Sequence, residues 1–120
     1  MILAISIENT NTILCGMDAK ESKFVECLST SVTRTEIEYA FAFKNIIELH
    51  HLSMDDVEGA IISSVVPPVT SVVKDAVRRI FGKEALVIGP GVKTGMNILT
   101  DNPAQLGSDL VASAVAGMGL

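Results

Sequence analysis

Apolar and polar positions along the chain repeat with two different periods, and the switches between them mark the elements. Ile2–Ile7 is a continuous apolar run rich in β-branched residues and broken only by Ser6, the pattern of a strand buried on both faces. The polar residues Glu8, Asn9, Thr10, Asn11 and Thr12 follow, then a second apolar run, which predicts a hairpin whose return strand covers 12–17. A polar turn over 18–22 leads to an alternating stretch over 23–29, a third antiparallel strand. A linker rich in Ser and Thr ends at Arg34.

The period then changes. Thr35 with Glu38 forms a capping box, in which each side chain satisfies a free N–H at the other's position. Tyr39, Ala40, Phe43, Ile46 and Ile47 recur on one helical face, and His50 and His51 are expected in the last turn, where a cation suits the helix dipole. Residues 53–56 read as a short capped turn and 59–64 as a strand built on Ala60, Ile61 and Ile62. Pro67 and Pro68 open a second amphipathic helix carrying Val69, Val72, Val73, Ala76, Val77 and Ile80, and Gly82 ends it. Residues 85–88 form a further buried strand. Asp101, Asn102 and Pro103 read as cap and start of a last helix, with Leu106, Leu110, Val111, Ala114 and Val115 inward. Three antiparallel strands followed by strand, helix, strand predict an α/β fold: a mixed five-stranded sheet with flanking helices.

Composition narrows the function classes. A chain of 120 residues with 48% hydrophobic and 19% charged content has the makings of one folded domain. The net charge of −5, with no basic cluster, argues against nucleic acid or an anionic membrane surface as partner. No apolar run is long enough to span a bilayer and the start lacks a signal-peptide pattern, so a cytoplasmic location is expected. Cys15 and Cys27 make no metal-binding spacing; both are expected as small buried hydrophobes.

Three places carry candidate chemistry. The turn from Glu8 to Thr12 offers hydroxyls, amides and backbone N–H groups in a hairpin, a shape that suits an anion. Gly89, Pro90, Gly91, Val92, Lys93, Thr94 and Gly95 form a loop able to approach a polar ligand closely, or a plain turn; its lysine follows Val92, which is not the phosphate-loop spacing. Asp109 stands among apolar positions of the last helix, where a lone Asp is ordinarily solvated surface. From Leu110 to Leu120 no residue is charged, which implies a covering element: more chain or a second subunit.

The ordered set of Asn9-Thr10-Asn11-Thr12, Ile61-Ile62-Ser63-Ser64-Val65-Val66-Pro67-Pro68-Val69, the glycine-rich loop, Asp101-Asn102-Pro103 and Gly107-x-Asp109 resembles the N-terminal half of type III pantothenate kinases, members of the actin, sugar kinase and Hsp70 superfamily. The resemblance implies that residues 1–120 are an N-terminal ribonuclease-H-like (actin-like ATPase) domain, with the family's second domain absent from this stretch. It implies ATP-dependent phosphorylation of pantothenate, with ATP, Mg²⁺ and a monovalent cation (K⁺ or NH₄⁺) as cofactors and a homodimer as the assembly. By that match Asp109 is the general base. Ser6, Glu8, Asn9, Thr10, Asn11 and Thr12 hold the nucleotide's phosphates, and Ser6 and Glu8 occupy the Mg²⁺ position. Gly91, Val92, Lys93, Thr94, Thr100, Gly107, Ser108 and Leu110 line the pantothenate side.

Four positions depart from the family pattern. Ser6 stands where the family has an Asp that orients Mg²⁺, and a hydroxyl is a poor anchor for a hard cation. Glu8 replaces a Gly that lets amides approach the phosphates and adds negative charge there; on a strand it faces the same way as Ser6 and is a displaced carboxylate for Mg²⁺ or a block on the site. Leu110 stands for an Arg, and Thr100 for an aromatic residue. The readings are a pantothenate kinase impaired as this chain alone, a non-catalytic binding or regulatory relative that keeps the fold and dimerises, or a domain fragment with no independent role.

Overall fold

The computed structural model describes residues 1–18 and 21–88. Five strands, β1 (Ile2–Ile7), β2 (Asn11–Asp18), β3 (Glu21–Ser29), β4 (Gly59–Ser64) and β5 (Ala85–Ile88), form one sheet in the order β3-β2-β1-β4-β5. β1 pairs antiparallel with β2 and parallel with β4, β2 antiparallel with β3, and β4 parallel with β5. This is the mixed five-stranded sheet expected from the sequence. β1 lies at its centre, and five of its six residues are buried.

Among the described residues two helices cover the sheet, α1 (Glu36–Leu49) and α2 (Pro67–Phe81). Leu3, Ile5 and Ile7 of β1, Leu14 of β2 and Phe24 of β3 pack with Tyr39, Phe43 and Ile47 of α1 and Val69, Val73 and Val77 of α2 in one cluster. Both described helices therefore lie on the same face. The opposite face carries a smaller cluster of Ala4, Cys15 and Met17. The helix expected beyond residue 100 lies outside the described residues.

The ends of the helices follow local rules. Thr35 and Glu38 form the expected capping box, the Glu38 carboxylate accepting from the Thr35 N–H at 2.8 Å. A second box, Ser53 with Asp56, opens the one-turn 3₁₀ helix Met54–Asp56. α2 has no side-chain cap; Val66 precedes it and the two prolines fill its first turn. Burying one Val side chain stabilises by about 1.5–3 kcal/mol, against ~1 kcal/mol for a typical cap. The three buried valines of α2 therefore outweigh the missing cap. Gly82 ends α2 in the left-handed region at φ 68°.

Two expectations need correction. α1 stops at Leu49, so His50 and His51 follow the last turn and do not stand within it. Tertiary contacts place His50 instead: its Nε2 lies 2.7 Å from Glu26 Oε2 on β3, and its ring stacks on Phe24 with centroids 5.0 Å apart. His51 takes φ 59° to turn the chain out of the helix. Cys27 is exposed, not buried, because β3 is an edge strand and Cys27 lies on the face away from the two helices; Cys15, on the inner strand β2, is buried as expected.

Two stability predictions follow from this packing. A Cβ on Gly16 would run into the Phe24 ring and come within 2.8 Å of Met1 Sδ, and His50 backs the ring on its other side. Gly16→Ala is expected to destabilise by about 1–3 kcal/mol in urea unfolding, and adding Phe24→Leu should recover part of the loss. The backbone and hydroxyl bonds from Thr35 hold the exposed Glu38 carboxyl below its usual pKa. A lowered folded pKa gives stability that is present above the unfolded value and lost as pH falls through the folded one. The gap in thermal midpoint between wild type and Glu38→Gln should therefore close as pH is taken down through that range; a gap that persists at acid pH would refute the assignment.

Candidate functional site: the edge at the strand C-termini

Parallel pairing brings the C-terminal ends of β1, β4 and β5 to one edge of the sheet, and β3 ends there as well. Open α/β sheets bind ligands at this edge, where the strand order changes direction. Here the change occurs at β1, between β2 and β4. The β1–β2 turn, the β4–α2 junction and Ile88, from which the chain continues into the glycine-rich loop, all lie along it.

The turn is tight. The Glu8 N–H donates to the Asn11 carbonyl at 2.9 Å, leaving Asn9 and Thr10 at the tip. Asn9, Thr10 and Asn11 are exposed and Glu8 is half-buried. Among the described non-glycine residues only His51 has a positive φ, so Glu8 sits in the turn without backbone strain. A glutamate at this position therefore changes what the turn presents, not whether it forms. Among the described residues the Asn9 and Thr10 N–H groups and the Asn9 side chain form no hydrogen bond, which leaves them open to an anion.

Thr12 behaves differently. It is fully buried on the helix-bearing face, beside Ile7 and Leu28, and its Oγ1 lies 2.8 Å from Thr30 Oγ1. The Thr30 N–H also donates to the Thr10 carbonyl at 2.9 Å. Thr30 thus holds the turn from below. The segment after it is fixed in turn by the buried Tyr39, whose hydroxyl donates to the Ser31 carbonyl and accepts from the Ser31 N–H, each at 3.2 Å. Sequence reasoning read this stretch as a linker and missed its buttressing role; its run of short hydroxyl side chains was the available signal.

The β4–α2 junction has the position of an anion site but not the donors. Pro67 and Pro68 lack N–H groups, and the N–H groups of Val69 and Thr70 both donate to the Val66 carbonyl, at 3.0 and 3.1 Å. Helix N-termini bind anions through free N–H groups, so the described cradle is the β1–β2 turn and not α2. The Val65 N–H donates to the Ile7 carbonyl at 3.0 Å and ties the junction to the end of β1.

Among the described residues no group of three or more His, Cys, Asp or Glu side chains is arranged to hold a metal ion. Mg²⁺ at nucleotide sites is held largely by phosphate oxygens and water, with one or two carboxylates. Among the oxygens at this edge are the Glu8 carboxylate and the Ser6 and Ser63 hydroxyls, a set that suits a hydrated ion and not a dehydrated one. A separate hollow of about 360 Å³ at the opposite edge is lined by Asp18, Asp55, Asp56 and Glu58, with Lys23 the only basic side chain there; that charge would repel a polyphosphate. Asp109, Gly91, Val92, Lys93, Thr94, Thr100, Gly107, Ser108 and Leu110 lie outside the described residues.

A family model for type III pantothenate kinase matches residues 2–120. The chain belongs to the type III pantothenate kinase family. It is 40% identical over all its 120 residues to a type III pantothenate kinase of a Geobacillus species, of which it covers 46%. A homologue from an Exiguobacterium species is 40% identical over 118 residues, 98% of this chain and 46% of that protein. The chain thus spans about half the length of these curated relatives. Two solved structures share the fold. The ROK hexokinase of Thermus thermophilus superposes with a TM-score of 0.54 at 10% identity, over 73% of this chain and 34% of that one. The RuvC protein of T. thermophilus, solved with a Holliday junction substrate, gives 0.56 at 14% identity, over 98% of this chain and 95% of that one. At these identities the likeness concerns the fold alone, the sugar kinase and ribonuclease-H-like α/β domain expected from the sequence.

The Thr12 hydroxyl is engaged inside the type III pantothenate kinase domain, so its loss should register as stability. Thr12→Val is expected to cost about 1 kcal/mol in chemical unfolding, and an unchanged midpoint would show that the Thr12–Thr30 bond contributes nothing.

Proposed function

We propose that this chain is the N-terminal, phosphate-holding domain of a type III pantothenate kinase, which transfers the γ-phosphate of ATP to the terminal hydroxyl of pantothenate in the cytoplasm. The observation that carries the reading is the β1–β2 turn: two exposed, unbonded N–H groups at the C-terminal edge of a sheet whose sequence belongs to this family. Phosphoryl transfer asks mainly for held phosphates, neutralised charge and a base at the attacking hydroxyl. The turn supplies donors for the phosphates. By its match to the family motif, Asp109 accepts the hydroxyl proton, and the residues of the glycine-rich loop with Gly107 and Ser108 hold pantothenate. When bound with ATP, Mg²⁺ would supply positive charge at the phosphates, and Ser6 and Glu8 are the residues that would hold it. The monovalent cation (K⁺ or NH₄⁺), the second domain and the homodimer come from the family resemblance and from relatives about twice as long.

Glu8 supports a second reading, in which the domain keeps the fold and binds or regulates without turnover. Its half-buried carboxylate enters a turn meant for a polyphosphate, and no carboxylate replaces it at Ser6. Calorimetry with Mg·ATP separates the two. Weak binding by the wild-type chain and stronger binding by Ser6→Asp/Glu8→Gly is the expected result for a phosphate turn with reduced charge complementarity. Heat only from the double variant favours the non-catalytic reading. No heat from either protein overturns the assignment of the turn to phosphate.

A further inference from the structure

The stretch 61–69, one of those that carry the family resemblance, holds two serines, Ser63 and Ser64. An inventory of hydroxyls at the functional edge separates them. Ser64 is occupied within the chain: its Oγ accepts from the Val66 N–H at 2.9 Å and donates to the Val66 carbonyl at 3.2 Å. Thr70 donates to the same carbonyl at 3.2 Å, and Thr12 is paired with Thr30. Ser6 and Ser63 are different. They are only 9% and 8% exposed, and among the described residues neither hydroxyl has a hydrogen-bond partner.

The two lie side by side. Ser6 of β1 and Ser63 of β4 are register partners in adjacent parallel strands, about 4.8 Å apart. Each is the last residue but one of its strand, on the face opposite α1 and α2. Glu8, two residues beyond Ser6, follows on the same side by strand periodicity. No buried side-chain oxygen among the described residues lacks a partner, so both hydroxyls, though their residues are nearly buried, are reached by solvent and open to an external group. Two such hydroxyls in register, beside the exposed amides of the turn, make a floor that an external oxyanion or its hydration shell can complete.

We infer that Ser63 is a nucleotide-binding residue of this site: its Oγ–H donates to a terminal phosphate oxygen of the nucleotide held by the β1–β2 turn, beside Ser6. The inference rests on the phosphate reading of the turn. It is a binding role and involves no proton transfer.

Calorimetry with Mg·ATP and, separately, with pantothenate tests it, on Ser63→Ala and Ser64→Ala made in the wild-type chain and in Ser6→Asp/Glu8→Gly. In whichever background binds Mg·ATP, Ser63→Ala should weaken binding about tenfold, the loss expected for one hydrogen bond to a charged group. Its thermal midpoint should stay level or rise, since no internal bond is lost. Ser64→Ala should lower the thermal midpoint. Unchanged Mg·ATP affinity in Ser63→Ala overturns the inference and leaves the phosphate turn standing, as does an effect confined to pantothenate. Absence of Mg·ATP binding in both backgrounds removes the turn assignment and the inference with it.

Discussion

The pairing of β1 on both of its edges is the constraint on which the rest of the domain depends. One six-residue strand accepts β2 antiparallel and β4 parallel and sends Leu3, Ile5 and Ile7 into the helix-bearing core. A slip of one residue in either register would turn these side chains to the other face and bring Ala4 and Ser6 under the helices. The same register sets the functional edge. It puts Ser6 beside Ser63, places Val65 within reach of the Ile7 carbonyl, and leaves the β1–β2 turn projecting past the end of β4. Core packing thus positions polar groups that contribute nothing to the core.

At that edge, short polar side chains divide by how their hydrogen-bonding capacity is used. Thr12, Thr30, Ser64 and Thr70 satisfy one another or nearby backbone groups, and they hold the turn and the start of α2 in shape. Asn9 and Thr10 at the tip, with Ser6 and Ser63 below, are left uncommitted among the described residues. The prolines that open α2 sharpen the division. A helix beginning with free N–H groups offers an anion site; one beginning Pro67-Pro68, with the next N–H groups bonded to the Val66 carbonyl, does not.

Much of the architecture was legible because its signals are local. The bounds of β4 and β5, the proline start and glycine stop of α2, the Thr35–Glu38 capping box and the capped turn at Ser53 depend on residues no more than a few positions apart. What the sequence did not disclose depends on distant partners. Nothing near His50 announces Glu26 and Phe24, and nothing near Thr12 announces Thr30. The exposure of Cys27 follows from β3 being at the edge of the sheet, a property of the strand order and not of the strand's own alternation. The placement of α1 and α2 on a single face is likewise a matter of topology that periodicity does not carry. In the site, the turn was legible as a shape suited to anions, whereas which of its hydroxyls remain available was visible only once their partners were known.

The departures at Ser6 and Glu8 fit this separation. Neither position contributes an apolar side chain to the main core, and Glu8 takes up its place without a positive φ. The turn itself therefore makes no demand for a glycine at position 8. A glutamate there costs the fold little, while a carboxylate beside the turn would oppose any anion brought to it. A sequence can thus keep family-level identity along its whole length and still shift the electrostatics of its anion turn. The charge beside the tip of one hairpin is thus set by a residue on which the surrounding fold makes almost no demand.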